Sequence, residues 1–74
     1  MNITIIENVW NRYLILICKV TANDGEYLGH IDFFFTPNGK LSQIKYHSEE
    51  DNMLEKNRYA TLLAWGKILQ KYTF

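Results

Sequence analysis

The sequence predicts an α+β domain: a four-stranded antiparallel meander with one C-terminal helix packed on one face of the sheet (β-β-β-β-α). Three observations carry this. Turn signals divide the first two-thirds of the 74 residues into four short segments rich in β-branched and aromatic side chains. The last third holds no proline and repeats apolar residues at helical spacing. The length suffices for a single domain, residues 1–74, and no more.

The strands are expected near residues 3–10, 13–21, 27–36 and 40–47, and the helix near 49–72. Asn11-Arg12 separates the first two strands, Asp24-Gly25 the second and third, and Pro37-Asn38-Gly39 the last two. Asp-Gly and Asn-Gly are strong hairpin signals because they tolerate positive φ. Ser48 suits a helix N-cap, and Asp51 three residues on resembles a capping box. Glu49, Glu50 and Asp51 complement the start of the helix dipole, and Lys67 and Lys71 complement its end. At 100° per residue, Leu54, Ala64, Trp65, Ile68, Leu69 and Tyr72 share one stripe. Tyr59 and Leu63 fall on the mainly polar side.

Register decides which side chains share a face. A two-residue turn at Asp24-Gly25 sets Cys18 opposite Ile31 and Leu16 opposite Phe33. A three-residue turn sets Leu16 opposite Asp32, which the apolar pattern rejects. A two-residue turn at Asn38-Gly39 sets Phe33 opposite Ile44 and Ile31 opposite Tyr46. Its alternative, a type I turn with a glycine bulge, turns Leu41 inward and Ile44 and Tyr46 outward. The expected inner face is Ile3, Ile5, Val9, Leu14, Leu16, Cys18, Val20, Ile31, Phe33, Phe35, Ile44 and Tyr46, under the helix. Glu7 also points inward, which conflicts with that pattern unless its carboxylate reaches solvent.

The opposite face then carries Ile6, Trp10, Tyr13, Ile15, Ile17 and Phe34, with Leu28 and Leu41 towards its ends. Lys19, His30, Asp32, Lys45 and His47 ring it. A contiguous aromatic and aliphatic patch with a charged rim is how an interface core looks. Trp10, Tyr13, Ile15, Ile17 and Phe34 are the expected partner-binding residues, with Arg12 and Lys45 steering from the rim. Tyr59 and Leu63 are a secondary surface on the helix. The expected partner is a protein, or a second copy of the chain in a homodimer.

Eight basic and eight acidic residues give no net charge, whereas nucleic-acid binders usually carry a basic excess. Nucleic acid is therefore the alternative partner: Tyr13, Phe34 and Trp10 would stack on bases while Arg12, Lys19 and Lys45 meet phosphates. The order of elements is similar to that of the arm-binding domains of tyrosine integrases, which read DNA through a sheet. It also resembles the end of the double-stranded RNA-binding domain. Here that domain's first helix is missing, and Glu49-Glu50-Asp51 has the wrong sign for its basic helix start. These are likenesses of architecture; the residues themselves identify no family.

The single cysteine, Cys18, excludes an internal disulfide and fits a reducing, cytoplasmic setting. No signal peptide is expected, because Glu7 interrupts the apolar start and no basic residue precedes it. The longest apolar run, from Tyr13 to Cys18, is too short to span a bilayer, so no membrane partner is expected. Six lysines against two arginines, with frequent Asn, Ile and Tyr, fit an A/T-rich genome. That bias suits phage or mobile-element cargo, so an inhibitor or regulator of a host factor, acting by occlusion, is the expected role.

No catalytic residues, cofactor or metal are expected. No Gly-rich phosphate loop is present. Cys18 lies mid-strand in the core, where thiols are inert. His30 and His47 fall side by side with Asp32 near, and two imidazoles with a carboxylate can ligate zinc. The reading here is two solvated histidines beside an Asp32–Lys45 cross-strand pair, with no further ligand in reach.

Overall fold

Asn11 and Arg12 both adopt positive φ, 51° and 69°, the conformation a two-residue type I′ turn requires. In a computed structural model, which describes residues 1–48 and 54–72 with helical side chains from residue 58 onward, this turn joins the first two of four strands. The elements are β1 Asn2–Trp10, β2 Tyr13–Thr21, β3 Tyr27–Phe35, β4 Leu41–Ser48 and α1 Leu54–Lys71. Adjacent strands pair antiparallel in the order β1-β2-β3-β4, the meander expected. Ser48 closes β4 opposite Gly29; its pattern with Glu49, Glu50 and Asp51 lies outside the described residues, as does the side chain of Leu54.

The other two hairpins reach the expected pairing by a different route. At β2–β3, Gly25 N–H donates to the Ala22 carbonyl (2.9 Å), Ala22 N–H donates to the Glu26 carbonyl (2.8 Å), and Gly25 has φ 92°. This is a three-residue turn, not the two-residue turn expected from the apolar pattern. Thr21 pairs with Tyr27 but Val20 with Gly29, so Leu28 is an extra residue that restores the register. Cys18 still faces Ile31, and Leu16 faces Phe33. The β3–β4 turn repeats the device. Gly39 N–H donates to the Thr36 carbonyl (2.9 Å), and Gly39 has φ 84°. Phe35 pairs with Leu41 but Phe34 with Gln43, so Ser42 is the extra residue and Phe33 meets Ile44 after all.

These bulges correct two placements. Leu28 packs against the inner core instead of the outer face. Leu41 lies opposite Phe35, an inner-face residue, at the open end of that face.

Leu16, Cys18, Val20, Ile31, Phe33 and Phe35 are buried beneath the helix, together with Ile3. The helix presents Ala60, Ala64 and Ile68 to them, all fully buried. Small side chains let the helix approach closely. Trp65 and Leu63 flank that stripe, and the Trp65 ring lies 5.8 Å from Phe33 and 6.4 Å from Phe35. The stripe is rotated by roughly 70° from the one expected, at 100° per residue. Leu69, expected in the core, is 57% exposed, while Leu63, expected on the polar side, packs inward.

Polar contacts pin the helix across the sheet. Thr61 donates to the Tyr46 hydroxyl (3.0 Å) on β4, and Lys67 Nζ donates to the Ile3 carbonyl (2.7 Å) on β1. Tyr72 donates its hydroxyl to Glu7 Oε1, which resolves the inward-facing carboxylate. Val9 lies two residues beyond Glu7 towards the turn. It is 69% exposed rather than part of the core, because the described helix does not reach it.

Candidate functional site: the open face of the sheet

The pairing lays out the open face in rows from β1 to β4. Thr4, Lys19, His30 and His47 form one row, Ile6, Ile17, Asp32 and Lys45 the next, and Asn8, Ile15, Phe34 and Gln43 the third. Trp10 and Tyr13 pair beyond them at the hairpin end. The helix packs on the other side. The face therefore has an apolar half near the Asn11-Arg12 turn and a polar half towards the opposite end of β3 and β4.

In the apolar half Trp10 is 70% exposed, and Ile6 and Tyr13 are also exposed. Ile17 and Phe34 are half-buried. Ile15 is buried in the floor of an open groove of about 250 Å³ lined also by Trp10, Tyr13, Phe34, Ser42, Gln43 and Lys45. It forms the floor of the groove that the Trp10, Tyr13 and Phe34 side chains border. Lys45 holds its ammonium 5.3 Å from the Phe34 ring centre, a cation–π contact over the patch. Arg12 is exposed in the turn between Trp10 and Tyr13.

The polar half departs most from the sequence reading. With Lys45 turned to Phe34, the expected Asp32–Lys45 pair gives way to two histidine contacts. Asp32 Oδ2 lies 3.3 Å from His47 Nε2 and 3.8 Å from His30 Nε2. The two imidazoles stack with centres 4.5 Å apart. Tyr27 joins them, its hydroxyl 2.6 Å from His30 Nδ1, and Lys19 sets its ammonium 5.5 Å from the Tyr27 ring. Tyr27, Lys19 and His30 line a second open groove, of about 350 Å³, with Ile6 and Ile17.

Tyr27 was not among the expected site residues. It reaches this face only because the bulge at Leu28 reverses the alternation of side chains. The signal was Gly29: a glycine inside a strand pattern marks a bulge or a close backbone approach.

Elsewhere, a groove of about 570 Å³ runs between the β1 edge and the helix, lined by Ile3, Thr4, Ile5, Lys67, Gln70 and Lys71. Lys67 there covers an edge carbonyl, a common protection of edge strands. On the outward face of the helix, Tyr59 is exposed as expected, but its apolar companions are Leu62 and Leu69 instead of Leu63. Cys18 is buried on the inner face, and burial, then the charge of Asp32, push its thiol up to about 12. A thiol in that state is a poor nucleophile. No described helix is long and apolar enough to cross a membrane.

No known protein family, curated protein or solved structure matches this chain.

Proposed function

We propose that the chain is a non-enzymatic protein-binding module whose open sheet face is its interface, and that its simplest occupant is a second copy of the chain. One observation carries the reading. The helix covers one face of the sheet, while the other face presents Ile6, Trp10, Tyr13, Ile17 and Phe34 with nothing described above them. A contiguous apolar patch on an uncovered sheet face, rimmed by polar residues, favours an interaction surface. A small domain buries little surface by itself, and pairing is a frequent remedy. A self-complementary face closes as a two-fold dimer.

Trp10, Tyr13 and Phe34 are the anchors, because interface energy concentrates in central aromatic residues. Arg12 steers from the rim. With the sheet face occupied by a second copy, the outward stripe of Tyr59, Leu62 and Leu69 is the surface left for a host factor. The composition favours a phage or mobile-element regulator acting by occlusion in the cytoplasm.

The second reading, binding of single-stranded nucleic acid, draws on Trp10, Arg12 and Tyr13 clustered at one hairpin tip. The carboxylate of Asp32 in the middle of the face and the lack of net charge weigh against it. The experiment that separates the two readings is an alanine scan of folded variants, scored for self-association and for retention on oligonucleotides. Loss of self-association in a Tyr13→Ala/Phe34→Ala double variant supports the dimer. Salt-dependent retention lost with Arg12, Lys19 and Lys45 would assign nucleic acid instead.

A further inference from the structure

We propose that His30, Asp32 and His47 form a three-ligand site for a borderline divalent metal ion, zinc(II) by preference, with a fourth coordination position open to the bare face. The site is complete within one chain, so it stands whether or not two copies pair.

The first support is convergence. One ligand atom from each residue lies within 4.8 Å of the others. Zinc bonds of about 2.0–2.2 Å to nitrogen and oxygen place tetrahedral ligands about 3.3–3.5 Å apart. The two separations from Asp32 Oδ2, 3.3 Å and 3.8 Å, bracket that range. The stacked imidazoles, 19° from parallel, turn towards each other for their in-plane lone pairs to meet on a shared ion.

The second support is the carboxylate. Asp32 is 9% exposed, and its Oδ1 is buried without a hydrogen-bond partner. A buried carboxylate left half-satisfied is costly unless a cation compensates it. Both lysines of this face are engaged elsewhere, Lys45 on Phe34 and Lys19 on Tyr27. Among the described residues, only the two histidines pair with Asp32.

The third support is the outer shell. A histidine that binds metal through one ring nitrogen normally has the other held by a polar group, which fixes its tautomer and orientation. The Tyr27 hydroxyl holds His30 Nδ1 and leaves Nε2 directed at Asp32. Gly29 supplies rigidity, since only a residue without Cβ lets β3 approach the His47 backbone so closely. Two imidazoles and one carboxylate suit zinc and its transition-metal neighbours. Magnesium and calcium prefer oxygen throughout.

The test is titration of the full chain with zinc(II) and cobalt(II), each variant checked for native circular dichroism. One zinc ion per chain is expected, with a melting temperature that rises with zinc and falls back with chelator. Cobalt(II) should give a d–d spectrum without thiolate charge transfer. His47→Ala, at an exposed edge position, and Asp32→Asn should each weaken binding at least tenfold. Tyr27→Phe, which leaves all three ligands, should weaken it by about tenfold. Cys18→Ser should bind as the parent does. No zinc bound at about 0.1 mM free metal, or binding of equal strength in the folded His47→Ala and Asp32→Asn variants, would overturn the site. In that case the three groups form a cluster of polar contacts only.

Discussion

Gly29 lies directly against the carbonyl oxygen of His47, and a Cβ at position 29 would collide with that oxygen. Its φ of 143° is also one that other residues rarely adopt. This contact brings β3 and β4 together backbone to backbone where the His30 and His47 rings stack. The bulge beside it turns Tyr27 to the same face. One glycine thus couples the strand pairing to the most polar cluster on the open face.

Gly29→Ala should therefore destabilise the fold by roughly 1–3 kcal/mol, the scale of a strained backbone position. Chemical denaturation measures this. A Gly66→Ala control should be neutral or stabilising, because a Cβ at that helical position meets nothing. Equal stability of Gly29→Ala and the parent would mean that the two strands do not meet as described.

Trp65 packs over Phe33 and Phe35 at ring distances of 5.8 and 6.4 Å. Truncation to alanine should cost about 3 kcal/mol, the low end for a large aromatic because the side chain is only part-buried. For a domain this small that is a large share of the total stability. A thermal melt should show Trp65→Ala largely unfolded near the temperature at which Arg58→Ala, an exposed control, is still native.

The rotated helix stripe gives a sharper test of packing. Ala64→Leu should destabilise by about 1–3 kcal/mol through overpacking, whereas Leu69→Lys should change the melting point little. The reverse order, with Leu69→Lys unfolded and Ala64→Leu tolerated, would restore the stripe inferred from periodicity.

The Cys18 thiol is raised from 9.0 to about 12 in the fold by burial and by the charge of Asp32. Its contribution to stability is full below pH 9 and declines as pH rises towards 12, because the unfolded chain ionises first and binds fewer protons. Unfolding midpoints should fall between pH 9 and 11, and less steeply in Cys18→Ala than in the parent. Thiol reagents at pH 8 should label the native chain only as fast as it opens. Rapid labelling of folded protein would show an accessible thiolate and contradict the burial.

The meander, its register and the location of the core were legible because alternation in β2 and β3 allows only one pairing that buries Leu16, Cys18, Ile31 and Phe33 together. The turn types were not. Each of the last two hairpins combines a three-residue turn with a bulge, and these two shifts cancel in the register that alternation reports. What alternation conceals is the residues inside the bulges, hence the misplaced Leu28 and Leu41 and the overlooked Tyr27. The helix stripe was misread because bulky Leu69 and Trp65 dominate a hydrophobic average. The true contact is centred on Ala60 and Ala64, whose value is closeness rather than hydrophobicity. On the open face, Asp32 was assigned to Lys45 by position alone. The Phe34 ring offers that lysine a competing partner which strand register does not reveal.

The proposed pairing of two copies through the bare sheet face is tested by the solution mass of the parent and of Ile17→Lys, by light scattering or sedimentation. Ile17 lies opposite Asp32 on that face, so a lysine there gains a carboxylate neighbour and the monomer should stay folded. Twice the chain mass is expected for the parent, and a folded species of single chain mass for Ile17→Lys. A parent that remains a monomer at high micromolar concentration, or an Ile17→Lys variant that is still a dimer, would contradict the pairing.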